Sequence, residues 1–181
     1  MSTSTLMTAE QLFELSPRLP RAELIEGELR EMTPSGAEHG LVSLELMAEL
    51  RDFLKRNPAG RAFAEVGFVI RREPDTVLVP DGAFISSESL AQTGVPSSFY
   101  NGAPDLVLEV ISPTDRPKQY EEKARIWLAA GARLVWLIHP RKRTAVIYRP
   151  GLDSVTISAN DDLTGEDVVP GFRCRLGDVL S

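Results

Sequence analysis

The chain has 181 residues, 43% hydrophobic and 25% charged, with a formal net charge of −6. Its single cysteine, Cys174, excludes an intramolecular disulfide framework and any cysteine-based metal cluster. No apolar run approaches the ~20 residues of a membrane-spanning helix, no secretory leader pattern opens the sequence, and the acidic balance argues mildly against a dedicated nucleic-acid-binding surface. The expectation is one cytoplasmic domain over residues 1–181 with a substantial core.

In chain order, Thr8 and Gln11 form a capping-box pattern that predicts a short helix to about Leu15. Ala22–Ile25 and Leu29–Met32 read as a hairpin around Glu26-Gly27. Ser35 and Glu38 give a second capping box, and a long helix is expected to Arg56, with Leu41, Leu44, Met47, Leu50 and Leu54 as its core face. His39 falls in its first turn, either as a polar helix-end residue or, if that end abuts Glu109, as a site residue. Arg61–Arg71 reads as one strand and Val77–Ile85 as the next, with Pro80-Asp81 inside it. Ser86–Gly102 reads as an exposed excursion. Leu106–Ile111 is an apolar strand, followed by a helix to Ala130 with Asp115 as N-cap and Pro117 near its start. Leu134–Ile138 and Thr144–Tyr148 are strands joined by the basic turn Pro140–Arg143. A strand near Ser154–Ile157, a Pro170-Gly171 turn and a short segment at Leu176–Leu180 complete an α/β arrangement around one mixed sheet.

Three residues break the apolar pattern. Glu109 stands in the middle of a buried-strand run, Asp81 lies between apolar flanks, and Lys123 borders the stripe Tyr120, Ala124 and Trp127. A lone buried charge is costly, so each needs a partner. Asp105 shares a strand face with Glu109 but lies ~13 Å away, too far to ligate the same ion. Asp81, on a neighbouring strand only ~5 Å off, is the better partner. Two such carboxylates with open water positions suit magnesium, and a lysine beside them would orient and deprotonate a water and offset transition-state charge. The alternative is a structural ion-pair network of the same three residues.

These residues resemble the PD-(D/E)xK, restriction-endonuclease-like superfamily. The chain more narrowly resembles the bacterial Uma-two "putative endonuclease" family. The matching stretches are Glu23–Glu28, Ser35–His39, Val79-Pro80-Asp81, Pro104–Pro113, Lys123, Ala130-Gly131-Ala132 and Pro170-Gly171-Phe172. The resemblance implies a restriction-endonuclease-like core in which a central mixed β-sheet is flanked by helices. It implies Mg2+ or Mn2+ held by Asp81 and Glu109, Lys123 as the catalytic lysine, and DNA phosphodiester bonds as substrate. Ile111 occupies the place of the superfamily's usual lysine, so the helix must supply it. Glu23, His39 and Gln119 match positions near the site, and Asp105 is kept as an auxiliary residue. A homodimer is expected because two sites address two strands, with the apolar tail Val168–Phe172 as a contact surface. Arg71-Arg72, Arg116-Lys118 and Arg141-Lys142-Arg143 are candidate phosphate contacts. A catalytically silent binding or assembly module is the competing reading.

Overall fold

The structure is a computed structural model that describes residues 6–19, 21–112 and 117–180. Its elements are α1 (Ala9–Leu15), β1 (Ala22–Ile25), β2 (Glu28–Glu31), α2 (Ala37–Arg56), β3 (Gly60–Ala64), β4 (Phe68–Arg71), β5 (Thr76–Leu78), β6 (Gly82–Ser86), α3 (Ser87–Thr93), β7 (Tyr100–Asn101), β8 (Leu106–Val110), α4 (Pro117–Ala129), β9 (Leu134–His139), β10 (Thr144–Tyr148), β11 (Val155–Ser158), β12 (Asp162–Thr164), β13 (Arg173–Arg175) and α5 (Leu176–Val179). The expected N-cap Asp115 and phosphate contact Arg116 lie outside the described residues.

A six-stranded mixed sheet runs β11-β10-β9-β8-β6-β3. Its one parallel pair is β8–β9, joined across α4 as a βαβ unit. A second sheet, β2-β1-β5-β4-β7, packs on the α4 side. Period two divides β8 between two cores. Leu106, Leu108 and Val110 meet Val42, Leu46 and Leu50 of α2, whereas Val107 meets Phe68, Leu78 and Trp127. All five β8 residues are buried, so Glu109 has no access to bulk water except through the site.

Local chemistry sets the ends of these elements. The Thr8 hydroxyl accepts from Gln11 N at 3.3 Å while the Gln11 side chain accepts from Thr8 N at 2.9 Å, closing the expected capping box. Glu26 and Gly27 both have positive φ, 55° and 80°, the pattern of a two-residue hairpin turn whose twist matches its strands.

Several expectations are corrected. The N-cap of α2 is Gly36, without a side-chain cap, so the Ser35–Glu38 box does not form. Its buried face is His39, Val42, Leu46, Leu50 and Leu54, whereas Leu41 and Leu44 are 42% and 65% exposed. Two apolar rows run side by side along this helix, and the sheet selects the one that Val42 begins. Arg61–Arg71 is two strands, as is Val77–Ile85, because the chain passes from one sheet to the other at 65–67 and at 79–81. Glu65 at φ 54° and Pro80, which lacks an N–H, stand at these breaks. The excursion at 86–102 contains α3 and β7. The tail residues Val168, Val169 and Phe172 are buried in the α2-side core, so they offer no contact surface for a second copy.

Candidate active site

The break between β5 and β6 makes the site. Val79 leaves the ladder, and side chains from the start of the hairpin satisfy its peptide groups. Glu23 Oε1 accepts from Val79 N at 2.8 Å, and Arg21 donates to Val79 O at 2.8 Å. Two residues on, Asp81 precedes β6, and the antiparallel register Gly82↔Leu108 carries it opposite Glu109. Both carboxylates line one cavity of about 540 Å³ together with Arg21, His39, Ser112 and Tyr120.

Asp81 is held as an anion. Its Oδ2 accepts from Val110 N at 2.8 Å and lies 3.1 Å from His39 Nε2, and its Oδ1 lies 3.2 Å from the Arg21 guanidinium. Burial pushes its pKa up, but His39, the Val110 amide and Arg21 together hold it below the usual carboxylate range.

Glu109 is the opposite case. Its side chain accepts from Trp127 Nε1 at 2.9 Å, and the Lys123 ammonium lies 3.0 and 3.2 Å from its two oxygens. Burial pushes its pKa up to about 7, with the charges of Asp81 and Glu23 adding to the effect against the pull of Lys123. Lys123 is shared, because Glu23 Oε1 also lies 2.9 Å from its Nζ. Burial alone would lower the lysine pKa, yet the two carboxylates raise it above the ordinary value. Lys123 therefore keeps its proton at neutral pH. In that form it can orient a water and supply positive charge.

The fold brings together Glu23, His39, Asp81, Glu109 and Lys123. It does not bring in Asp105, which accepts from Ser86 N at 2.8 Å at the other end of β8, with Arg133 3.8 Å away. Gln119 is exposed on α4. Arg21 and Trp127 are the residues that sequence reasoning left out of the site. Trp127 stands four positions after Lys123, on the same helix face. Arg21 stands two before Glu23, and strand period two was the signal available for it. The Arg21 Nε is buried without a hydrogen-bond partner among the described residues.

The donor set fits a hard divalent cation that keeps most of its water, such as Mg2+ or Mn2+. Asp81 and Glu109 supply oxygen donors, the type such a cation prefers. The carboxylates of Glu23, Asp81 and Glu109 outnumber by one the cationic groups of Arg21 and Lys123 that face them.

The family profile described as "Uma2: Putative restriction endonuclease" matches residues 9–177. The chain belongs to the Uma2 family. A crystal structure described as a putative nuclease belonging to DUF820 from Anabaena variabilis superposes on this Uma2 chain with a TM-score of 0.77 at 19% identity, covering 93% of this chain and 96% of that one. The restriction-endonuclease-like α/β fold expected from the resemblance is therefore the fold of this Uma2 member. A DrdV–DNA complex matches at a TM-score of 0.42 and 16% identity, over 64% of this chain and 67% of that one. Comparison with curated proteins returned no match. No helix among the described residues is long and apolar enough to cross a membrane.

Proposed function

We propose that this Uma2 chain is an endonuclease that hydrolyses DNA phosphodiester bonds with a divalent cation, Mg2+ or Mn2+, held by Asp81 and Glu109. The observation that carries this reading is the meeting of Asp81 and Glu109 at one cavity, with the Lys123 ammonium held against Glu109. The bound cation would supply Lewis-acid charge at the phosphoryl group. Asp81, locked by His39, Arg21 and the Val110 amide, provides a fixed anion. Lys123 holds a proton at Nζ, which places positive charge where phosphoryl oxygens become more negative. Glu109 would meet the cation as a carboxylate, its oxygens oriented by Trp127 and Lys123. Glu23 fixes Lys123 and the Val79 peptide and so acts as a positioning residue.

Supercoiled plasmid incubated with Mg2+ or Mn2+ should be nicked, and Glu109→Ala should abolish nicking. Parent protein that leaves the plasmid intact with both metals would favour the second reading, a nuclease-fold binding module without turnover. The satisfied Glu23–Lys123–Glu109 cluster is what favours that reading. We also propose a homodimer, since hydrolysis of both strands of a duplex takes two sites. Sedimentation at micromolar concentration tests it, and monomer alone would refute it.

A further inference from the structure

Resting on the nuclease reading, we propose that duplex DNA reaches the cavity across the β9–β10 turn, with Arg141 and Lys142 holding backbone phosphates. The sheet fixes this placement. The parallel register Val110↔Ile138, continued by Ile111 N to Ile138 O at 2.9 Å, sets Ser112 beside Pro140. Ser112 lines the cavity, so the turn begins one strand spacing, ~5 Å, from its rim.

The turn is braced, and its charges are free. Arg143 N donates to Pro140 O at 2.9 Å, and the Arg143 guanidinium donates to Leu180 O at 2.9 Å. Arg143 is therefore a structural member. Arg141 and Lys142 are exposed and form no ion pair among the described residues. Glu121 of α4 is an opposing charge whose field reaches His139, as that of Lys142 does.

The Arg71-Arg72 cluster is differently committed. Arg71 pairs with Glu26 at 2.8 Å, and Arg72 pairs with Glu10 at 2.8 Å and Asp75 at 2.9 Å. Arg71 sits beside Ala129 and Ala130 at the C-terminal end of α4, whereas Tyr120 borders the active cavity near the other end. About nine helical residues separate these positions, or ~14 Å. An anionic duplex drawn to a chain of net charge −6 needs a local cationic approach, and this edge supplies one.

The test is fluorescence anisotropy of a labelled duplex of about 25 base pairs, titrated in EDTA at several salt concentrations so that cleavage does not intervene. Arg141→Ala/Lys142→Ala should weaken binding ~10-fold or more at low salt and flatten the plot of log affinity against log salt by ~1.8, two phosphate contacts at ~0.9 each. Arg71→Ala should leave both unchanged. Parental slope and affinity in the double variant would overturn the proposal, as would parent protein that fails to bind the duplex or binds duplex RNA more tightly. The two readings fail separately. Parent that binds through the turn but nicks no plasmid refutes catalysis alone, and parent that nicks while the double variant binds normally refutes the approach surface alone.

Discussion

Replacing Glu109 with glutamine should stabilise the protein while destroying its proposed activity. The raised Glu109 pKa means that the folded state prefers the protonated carboxyl. The stability this contributes is fully present below the unfolded value near 4.5 and is lost as pH rises through about 7. A displacement from 4.5 to about 7 corresponds to about 3 kcal/mol at 1.36 kcal/mol per pKa unit. Glutamine removes the buried charge, and an amide oxygen at the Oε1 position can accept from both Trp127 and Lys123, while its amide nitrogen takes the Oε2 position and loses that contact with Lys123. Lys123 retains Glu23 as its counter-charge, so the substitution does not strand the ammonium. In urea unfolding with EDTA, Glu109→Gln should exceed the parent by about 2–3 kcal/mol at pH 8 and by much less at pH 5. The parental curve should fall between these pH values relative to that of the variant. Plasmid nicking should drop at least ~100-fold. A variant less stable than the parent at pH 8, with parallel pH dependences, would refute the argument that Glu109 is held in the fold against its own charge.

Lys123→Met leaves Glu23 and Glu109 buried without their shared cation, so it should cost ~3 kcal/mol at pH 8 and recover toward pH 5, read as melting temperature by circular dichroism. The same variant should lose nicking ~100-fold under conditions where it is folded, and parental cleavage would remove Lys123 from the chemistry. Asp105→Ala leaves the Ser86 amide unpaired and should cost ~1–3 kcal/mol by urea titration while nicking stays within about twofold. Gly27→Ala places a Cβ at φ +80°, 2.7 Å from Leu6 Cβ, and should cost ~1–2 kcal/mol by the same titration.

The strands around the site were legible because two of them, buried on both faces, are continuous apolar runs and the third alternates. Leu106–Val110, Leu134–His139 and Thr144–Tyr148 appear where the pattern placed them. The carboxylates stood out because an acid in an apolar run is energetically conspicuous. Sheet switching was not legible, since strand pattern continues through 65–67 and 79–81 whichever sheet the residues join, and only Pro80 marked the second break. The α2 face was misplaced because Leu41 and Leu44 are as apolar as Val42 and Leu46, and only the docked sheet decides between the rows. Arg21 escaped notice because an arginine just before a strand looks solvated until Val79 and Asp81 are seen beside it. Asp105 shares the face of Glu109, but its carboxylate is spent on the Ser86 amide.

The Val79 peptide also makes the assembly of this site observable. Its amide proton is protected by a carboxylate oxygen 56 positions away in the chain, not by a neighbouring strand. That oxygen in turn holds Lys123, a hundred positions further along from Glu23. Hydrogen exchange at this one amide therefore times the docking of the N-terminal hairpin onto the rest of the molecule. An exchange rate faster than that of the β8 amides would reveal local openings in which the hairpin lifts, the ammonium loses one of its anchors, and the β-sheet core stays intact.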